Sequence, residues 1–196
     1  ERLDERGLAD DTLVVFTSDN GAHWRPIDVE TWTHRANGPW RGQKADIHEA
    51  GHRVPFLARW PGRIEAGTET AALVGLHDLF ATLAEAAGAA VPAGAAEDSR
   101  SFLAVLEGRA DAAREELVHH SFDGMFALRS GDWKLIEGRG SGGFTDPARY
   151  RPLPGEVPGQ LYHLGRDPAE TTNLWTAEPA VVERLAERLQ ALRRGG

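Results

Sequence analysis

The chain has 196 residues, with 22 Lys and Arg against 30 Asp and Glu and a formal net charge of −8, so it lacks the basic surplus a nucleic-acid footprint needs. Apolar residues make up 41% and charged residues 27%, which provides for a packed core and excludes bulk disorder. Cys is absent, which removes disulfides, thiolate metal sites and a Cys nucleophile from these residues, and no apolar run approaches the roughly 20 residues of a membrane span.

Leu3–Leu8 reads as the tail of a helix already under way, so an upstream segment is expected before Glu1. Thr12–Thr17 is a short β-branched run bounded by polar turns, the pattern of a strand buried on both faces inside a parallel sheet. Residues 22–42, with Pro26, Gly38, Pro39 and three Trp, read as a long functional loop. Val54–Trp60 is a second strand that Pro61-Gly62 ends. His77–Ala87 is a helix with Leu76, Leu79, Phe80, Leu83, Ala84 and Ala87 on one face and Gly88 as its stop. Ser101–Glu107 is a short helix.

Beyond it the pattern changes. Glu116–Ser121, Met125–Arg129 and Trp133–Glu137 are short runs split by tight turns, the signature of an antiparallel meander. A Gly- and Pro-rich loop over 138–160 precedes a further strand at Gln160–Leu164. Pro179 opens an amphipathic helix carrying Val181, Val182, Leu185, Leu189 and Leu192. The expected organisation is therefore an α/β part over 1–95, a linker over 96–112, and a small α+β subdomain over 113–196.

Three motifs carry candidate chemistry. Ser18-Asp-Asn-Gly21 follows a strand, and Asp19 and Asn20 both offer oxygen to a hard cation; the same string also suits an ordinary turn. Arg41-Gly-Gln-Lys44 sets a Lys behind a Gly-containing loop, fit to hold an oxyanion or protonate a leaving oxygen, or simply to face solvent. His48-Glu-Ala-Gly-His52 matches the zinc-peptidase pattern H-E-x-x-H, but Gly51 and Pro55 oppose the continuous helix that chemistry requires.

In order along the chain, Thr12–Gly21, Arg41–Lys44, Glu49–Pro55 with Trp60-Pro-Gly62, Asp78–Leu83, Leu128–Ile136, Leu161–Leu164, Asp167-Pro-Ala-Glu170 and Asn173-Leu174 resemble the C-terminal half of a type I, arylsulfatase-like sulfatase of the alkaline-phosphatase-like superfamily. The resemblance implies the C-terminal part of a parallel or mixed α/β sheet domain, followed by a small antiparallel sheet with a closing helix. It implies sulfate ester hydrolysis through formylglycine and a divalent cation, Ca²⁺ with Mg²⁺ as the alternative. It carries metal ligation to Asp19 and Asn20 and catalytic sulfate binding to Lys44, and His23 and Trp24, next along the chain, are expected to line the substrate pocket. The implied partner is a small-molecule or carbohydrate sulfate ester, and the family often acts in the periplasm or outside the cell.

No Ser begins an S-x-P-x-R motif, so the formylglycine is expected on a missing N-terminal segment and these residues alone are expected to be inactive. A phosphodiesterase or phosphonate hydrolase of the same superfamily, a zinc metallopeptidase at His48, Glu49 and His52, and a non-catalytic binding module are the rival readings.

Overall fold

The computed structural model describes residues 1–194. Its elements run α1 (Arg2–Glu5), β1 (Val14–Thr17), α2 (Pro26–Thr31), α3 (Glu49–His52), β2 (Phe56–Arg59), a 3₁₀ turn (Leu76–Asp78), α4 (Leu79–Ala86), α5 (Leu103–Leu106), β3 (Glu116–His120), β4 (Phe126–Ser130), β5 (Trp133–Ile136), β6 (Gln160–His163) and α6 (Pro179–Arg194). The chain forms two compact units that are not consecutive in sequence: residues 1–18 with 55–115, and residues 19–54 with 116 onward.

In the first unit β1 pairs with β2, Val15 opposite Ala58 and Phe16 opposite Leu57. The pairing is antiparallel, not the parallel arrangement expected for Thr12–Thr17, because an apolar β-branched run encodes extended backbone and not the direction of its neighbour. Nor is the strand buried on both faces: Phe16 is 62% and Leu57 64% exposed.

Helix α4 is anchored by polar groups as well as by its apolar stripe. Asp78 is fully buried; its carboxylate accepts the backbone N–H of Gly75 at 2.8 Å and of Arg100 at 2.9 Å and pairs with Arg114. One turn on, the Thr82 hydroxyl donates to the Asp78 carbonyl at 2.7 Å and accepts the Phe102 N–H at 3.1 Å. The helix thus faces the 99–102 segment, and Phe80 and Leu83 from the expected apolar face remain about half exposed.

In the second unit the meander is realised as a four-stranded antiparallel sheet in the order β3-β4-β5-β6. Register explains its two faces. Leu128, Leu135 and Leu161 stand opposite one another across β4, β5 and β6 and pack with Leu185 and Leu189 of α6, all essentially fully buried. One residue away, Ala127 and Ile136 with Tyr162 face the other way and pack with Ile47. The sheet therefore lies between the C-terminal helix and the loop that carries Lys44.

A candidate sulfuryl site built on one folded loop

All five residues singled out for chemistry lie on the loop between β1 and β2, within the second unit. Two backbone contacts fold that loop on itself. The Gly21 N–H donates to the Gly51 carbonyl at 3.0 Å, and a Cβ on Gly21 would run into the Ala50 carbonyl, so only glycine permits this approach. The Lys44 N–H donates to the Ala22 carbonyl at 3.1 Å. Asn37 ties the crossing: its Oδ1 accepts from Ala22 N at 3.1 Å, and its Nδ2 donates to the carbonyls of Ala22 and Gly42 at 3.1 and 3.3 Å. Lys44 is thereby held beside the residue that follows Asn20-Gly21.

Around that crossing, Asp19 is exposed and Asn20 half-buried, its Nδ2 donating to the Gly21 carbonyl at 3.0 Å. His23 is exposed and meets Phe144 edge-on, ring centroids 5.6 Å apart. Trp24 packs edge-on against His34, and its buried indole N–H has no hydrogen-bond partner among the described residues. An orphaned donor of this kind suits an oxyanion. Residues 22–42 are not all loop: Pro26 starts helix α2, and Asp28 accepts the Arg25 N–H at 3.0 Å as its cap.

Lys44 is followed by Ala45 with φ of 79°, a left-handed residue, and by the fully buried Asp46. The Asp46 carboxylate accepts three backbone N–H groups, from Gln43 at 3.0 Å, Phe144 at 2.7 Å and Thr145 at 3.0 Å. This one side chain joins the Lys44 loop to the β5–β6 loop.

Behind the loop is a buried ionic cluster that sequence reasoning missed. Lys134 Nζ is fully buried, 3.1 Å from Glu49 Oε1 and 3.0 Å from Glu170 Oε1. Glu49 also receives Arg53 Nε at 2.7 Å and lies 3.6 Å from Arg129, while Glu170 Oε2 accepts the Glu49 N–H at 2.7 Å. Burial alone would raise the Glu49 carboxyl, but Lys134, Arg53 and Arg129 outweigh it and bring its pKa down to about 2. Burial pushes Glu170 the other way, up from the ordinary carboxylate value, against the pull of Lys134. Arg53 also stacks 3.9 Å above the Trp40 ring, which fixes the exit of the loop into β2. The alternation of Trp133–Ile136 is the signal for this cluster, since it sets Lys134 and Ile136 on one face of a buried strand.

The H-E-x-x-H segment forms one helical turn, α3. Its Glu is committed to Lys134 and Arg53, His48 Nε2 lies 3.4 Å from Gln160 Oε1, and the His52 ring packs at a tilt against His119 with centroids 4.2 Å apart. Among the described residues no group of three or more His, Cys, Asp or Glu is placed to hold a metal. Asp19 and Asn20 fit a hard cation in donor type, and would account for two of the six to eight oxygens that Ca²⁺ takes. No described helix is long and apolar enough to cross a membrane.

Comparison with known proteins fits this geometry. A family model described as Sulfatase matches residues 1–89. The chain is 32% identical over 200 residues to an N-acetylgalactosamine-6-O-sulfatase of Bacteroides thetaiotaomicron, covering 97% of this chain and 38% of that protein. It is 34% identical to human arylsulfatase A, covering 97% and 39%. A solved structure from work on glycosaminoglycan metabolism by Bacteroides thetaiotaomicron, BT33336S-sulf, superposes with a TM-score of 0.83 at 33% identity, covering 98% of this chain and 41% of the other. The chain thus spans about two-fifths of the length of the relatives it matches.

Proposed function

The chain belongs to the sulfatase family, and from that premise we propose that the protein hydrolyses a small-molecule or carbohydrate sulfate ester, with Lys44 binding a sulfuryl oxygen at the site of reaction. The observation that carries this reading is the Lys44–Ala22 hydrogen bond, locked by Asn37, which seats an ammonium group's backbone beside the Asp19-Asn20 segment.

Charge dictates the division of labour. A sulfate ester gathers negative charge on its sulfuryl and leaving oxygens as the S–O bond breaks, and a fixed ammonium stabilises that charge more than the ground state. Lys44 holds the group and orients it, and the Trp24 indole N–H is a second donor for the same oxygens. Asp19 and Asn20 contribute two ligands to a Ca²⁺ or Mg²⁺ shell, which when bound supplies further charge neutralisation. A formylglycine nucleophile is proposed on a part of the protein outside these residues, since they hold no Cys and no Ser that begins an S-x-P-x-R motif. His23, held edge-on against Phe144, is proposed to face the substrate.

Turnover of 4-nitrophenyl sulfate by the full-length gene product tests this. Lys44→Ala is expected to lower kcat/KM by about 10²–10³-fold, the range for removing one oxyanion donor, while the circular dichroism spectrum is unchanged. A variant with parental kcat/KM, or faster turnover of the matching phosphate ester, would overturn it. Chelation is expected to abolish activity and added Ca²⁺ to restore it.

A further inference from the structure

Two phenylalanines outside every motif named above are bonded to the two residues that follow Lys44. Phe122, in the β3–β4 turn, is 74% exposed, and Phe144, in the β5–β6 loop, is 46% exposed. Their ring centroids are 5.7 Å apart, and His23 meets the other side of Phe144 at 5.6 Å. Water-facing aromatic rings in contiguous contact make a small apolar patch, and patches rimmed by polar groups are where ligands bind most often.

These rings are also held in place. The Phe122 N–H donates to the Ala45 carbonyl at 2.9 Å, and the Phe144 N–H donates to Asp46 at 2.7 Å. Ala45 and Asp46 are the two residues after Lys44. The Ile47 N–H donates to the Ser141 carbonyl at 2.7 Å. A Cβ on Gly143 would strike the Ala45 carbonyl, so the backbone before Phe144 lies directly on that of the Lys44 loop. Both phenylalanines are thus registered to the proposed sulfuryl-binding Lys by its own neighbours.

We infer that Phe122, Phe144 and His23 form an aromatic shelf that receives the flat, apolar face of the ring bearing the sulfate, and so selects ring-bearing esters over acyclic ones. This rests on the sulfuryl reading of Lys44. A polar anchor beside an aromatic wall is the ordinary composition of a small-molecule site. Sugars and aryl groups share the required face, and the test separates them.

Binding is measured by calorimetry on the full-length gene product with sulfonates, whose C–S bond is not an ester and does not turn over. The probes are benzylsulfonate, 6-deoxy-6-sulfoglucose, ethanesulfonate and inorganic sulfate. Phe144→Ala is expected to weaken one or both ring probes by about 2- to 12-fold, the span of a single aromatic pair, and to leave ethanesulfonate and sulfate unchanged. Phe144→Tyr is expected to restore the parental value. The ring probe that loses affinity identifies the ring class. Equal affinities of parent and Phe144→Ala for both ring probes would overturn the shelf, as would equal loss for all four. A lower Tm with unchanged ring affinity would also overturn it, assigning the rings a structural role. Failure of every sulfate ester to turn over, with ring selectivity intact, would instead overturn the sulfatase activity and leave the shelf standing.

Discussion

Lys134 shows how much rests on a single buried charge. It has no exposed surface and serves two carboxylates, Glu49 and Glu170, of which Glu170 carries no exposure either. Removing one partner of such a cluster leaves the others desolvated without compensation, at a cost of about 3–5 kcal/mol. Lys134→Met is therefore expected to lower the unfolding free energy measured in urea by that amount, and Glu170→Gln to lower it less, because Glu49 keeps Arg53 and Arg129. A Lys134→Met protein as stable as the parent would show that the cluster adds only specificity. Gly21→Ala acts on the same loop by pure sterics. Its methyl group has no room beside the Ala50 carbonyl, so the Gly21–Gly51 hydrogen bond must break and the Asp19-Asn20 segment must shift away from Lys44. In the full-length gene product, the sulfatase turnover proposed above is expected to fall with little change in the far-ultraviolet spectrum.

At the scale of elements, the Lys44 loop, the β3–β4 turn and the β5–β6 loop behave as one body because Asp46 and its neighbours bond to both of the others. Asp46→Ala is expected to speed amide exchange at Gln43, Phe144 and Thr145 together; acceleration at Gln43 alone would show that the loops open separately. The sequence discloses local order here and not this cooperation. Alternation and turn residues place β3, β4, β5 and β6 within a residue or so, and Pro179 with its leucines places α6, because those patterns are set within a few residues of chain. Helix α2 escapes notice, since its six residues lie among Trp, Gly and Pro and its signal is reduced to Pro26 and Asp28. Motif and family likeness mark out Lys44, Asp19 and Asn20, and strand alternation puts Lys134 on a buried face, yet its partner Glu170 and the pair Phe122 and Phe144 acquire meaning only through contacts many residues away, which no local pattern encodes. Asp78 illustrates the same limit. A helix-opening Asp reads as a cap, and it does accept the Gly75 N–H, but its ion pair with Arg114 and the N–H it accepts from Arg100 are nonlocal.

Across the whole molecule the two compact units differ in what acid does to them. His48, His52 and His119 all belong to the unit built on residues 19–54 and 116 onward. Burial, reinforced by Arg41 and Lys134, holds His48 down to about 3; burial with Lys134 holds His52 to about 4; burial, Lys134 and His52 hold His119 well below its usual value. Unfolded, each titrates near 6.5, so below that pH the unfolded chain binds more protons and stability falls, down to about 4 for His52 and about 3 for His48. Glu49, held near 2 when folded against 4.5 when free, extends the loss from 4.5 toward 2, and Glu170, shifted upward, opposes part of it. Hydrogen exchange followed from pH 7 to 4 is therefore expected to open residues 43–53 and 116–121 before the α4–α5 segment of the other unit. His52→Gln is expected to flatten the slope by up to one proton, about 1.4 kcal/mol per pH unit. Simultaneous opening of both units, or an unchanged slope in His52→Gln, would count against this assignment. The first unit carries a different liability, an apolar ribbon face with Val14, Phe16 and Leu57 turned to solvent. Patches of this kind bind hydrophobic dyes and invite association. The 196-residue chain is accordingly expected to bind such a dye. Phe16→Thr with Leu57→Thr, which keeps strand propensity while removing the apolar surface, is expected to abolish most of the dye signal. Persistence of the signal in the double variant would move the exposed surface elsewhere in that unit, with Phe80 and Leu83 on α4 about half exposed.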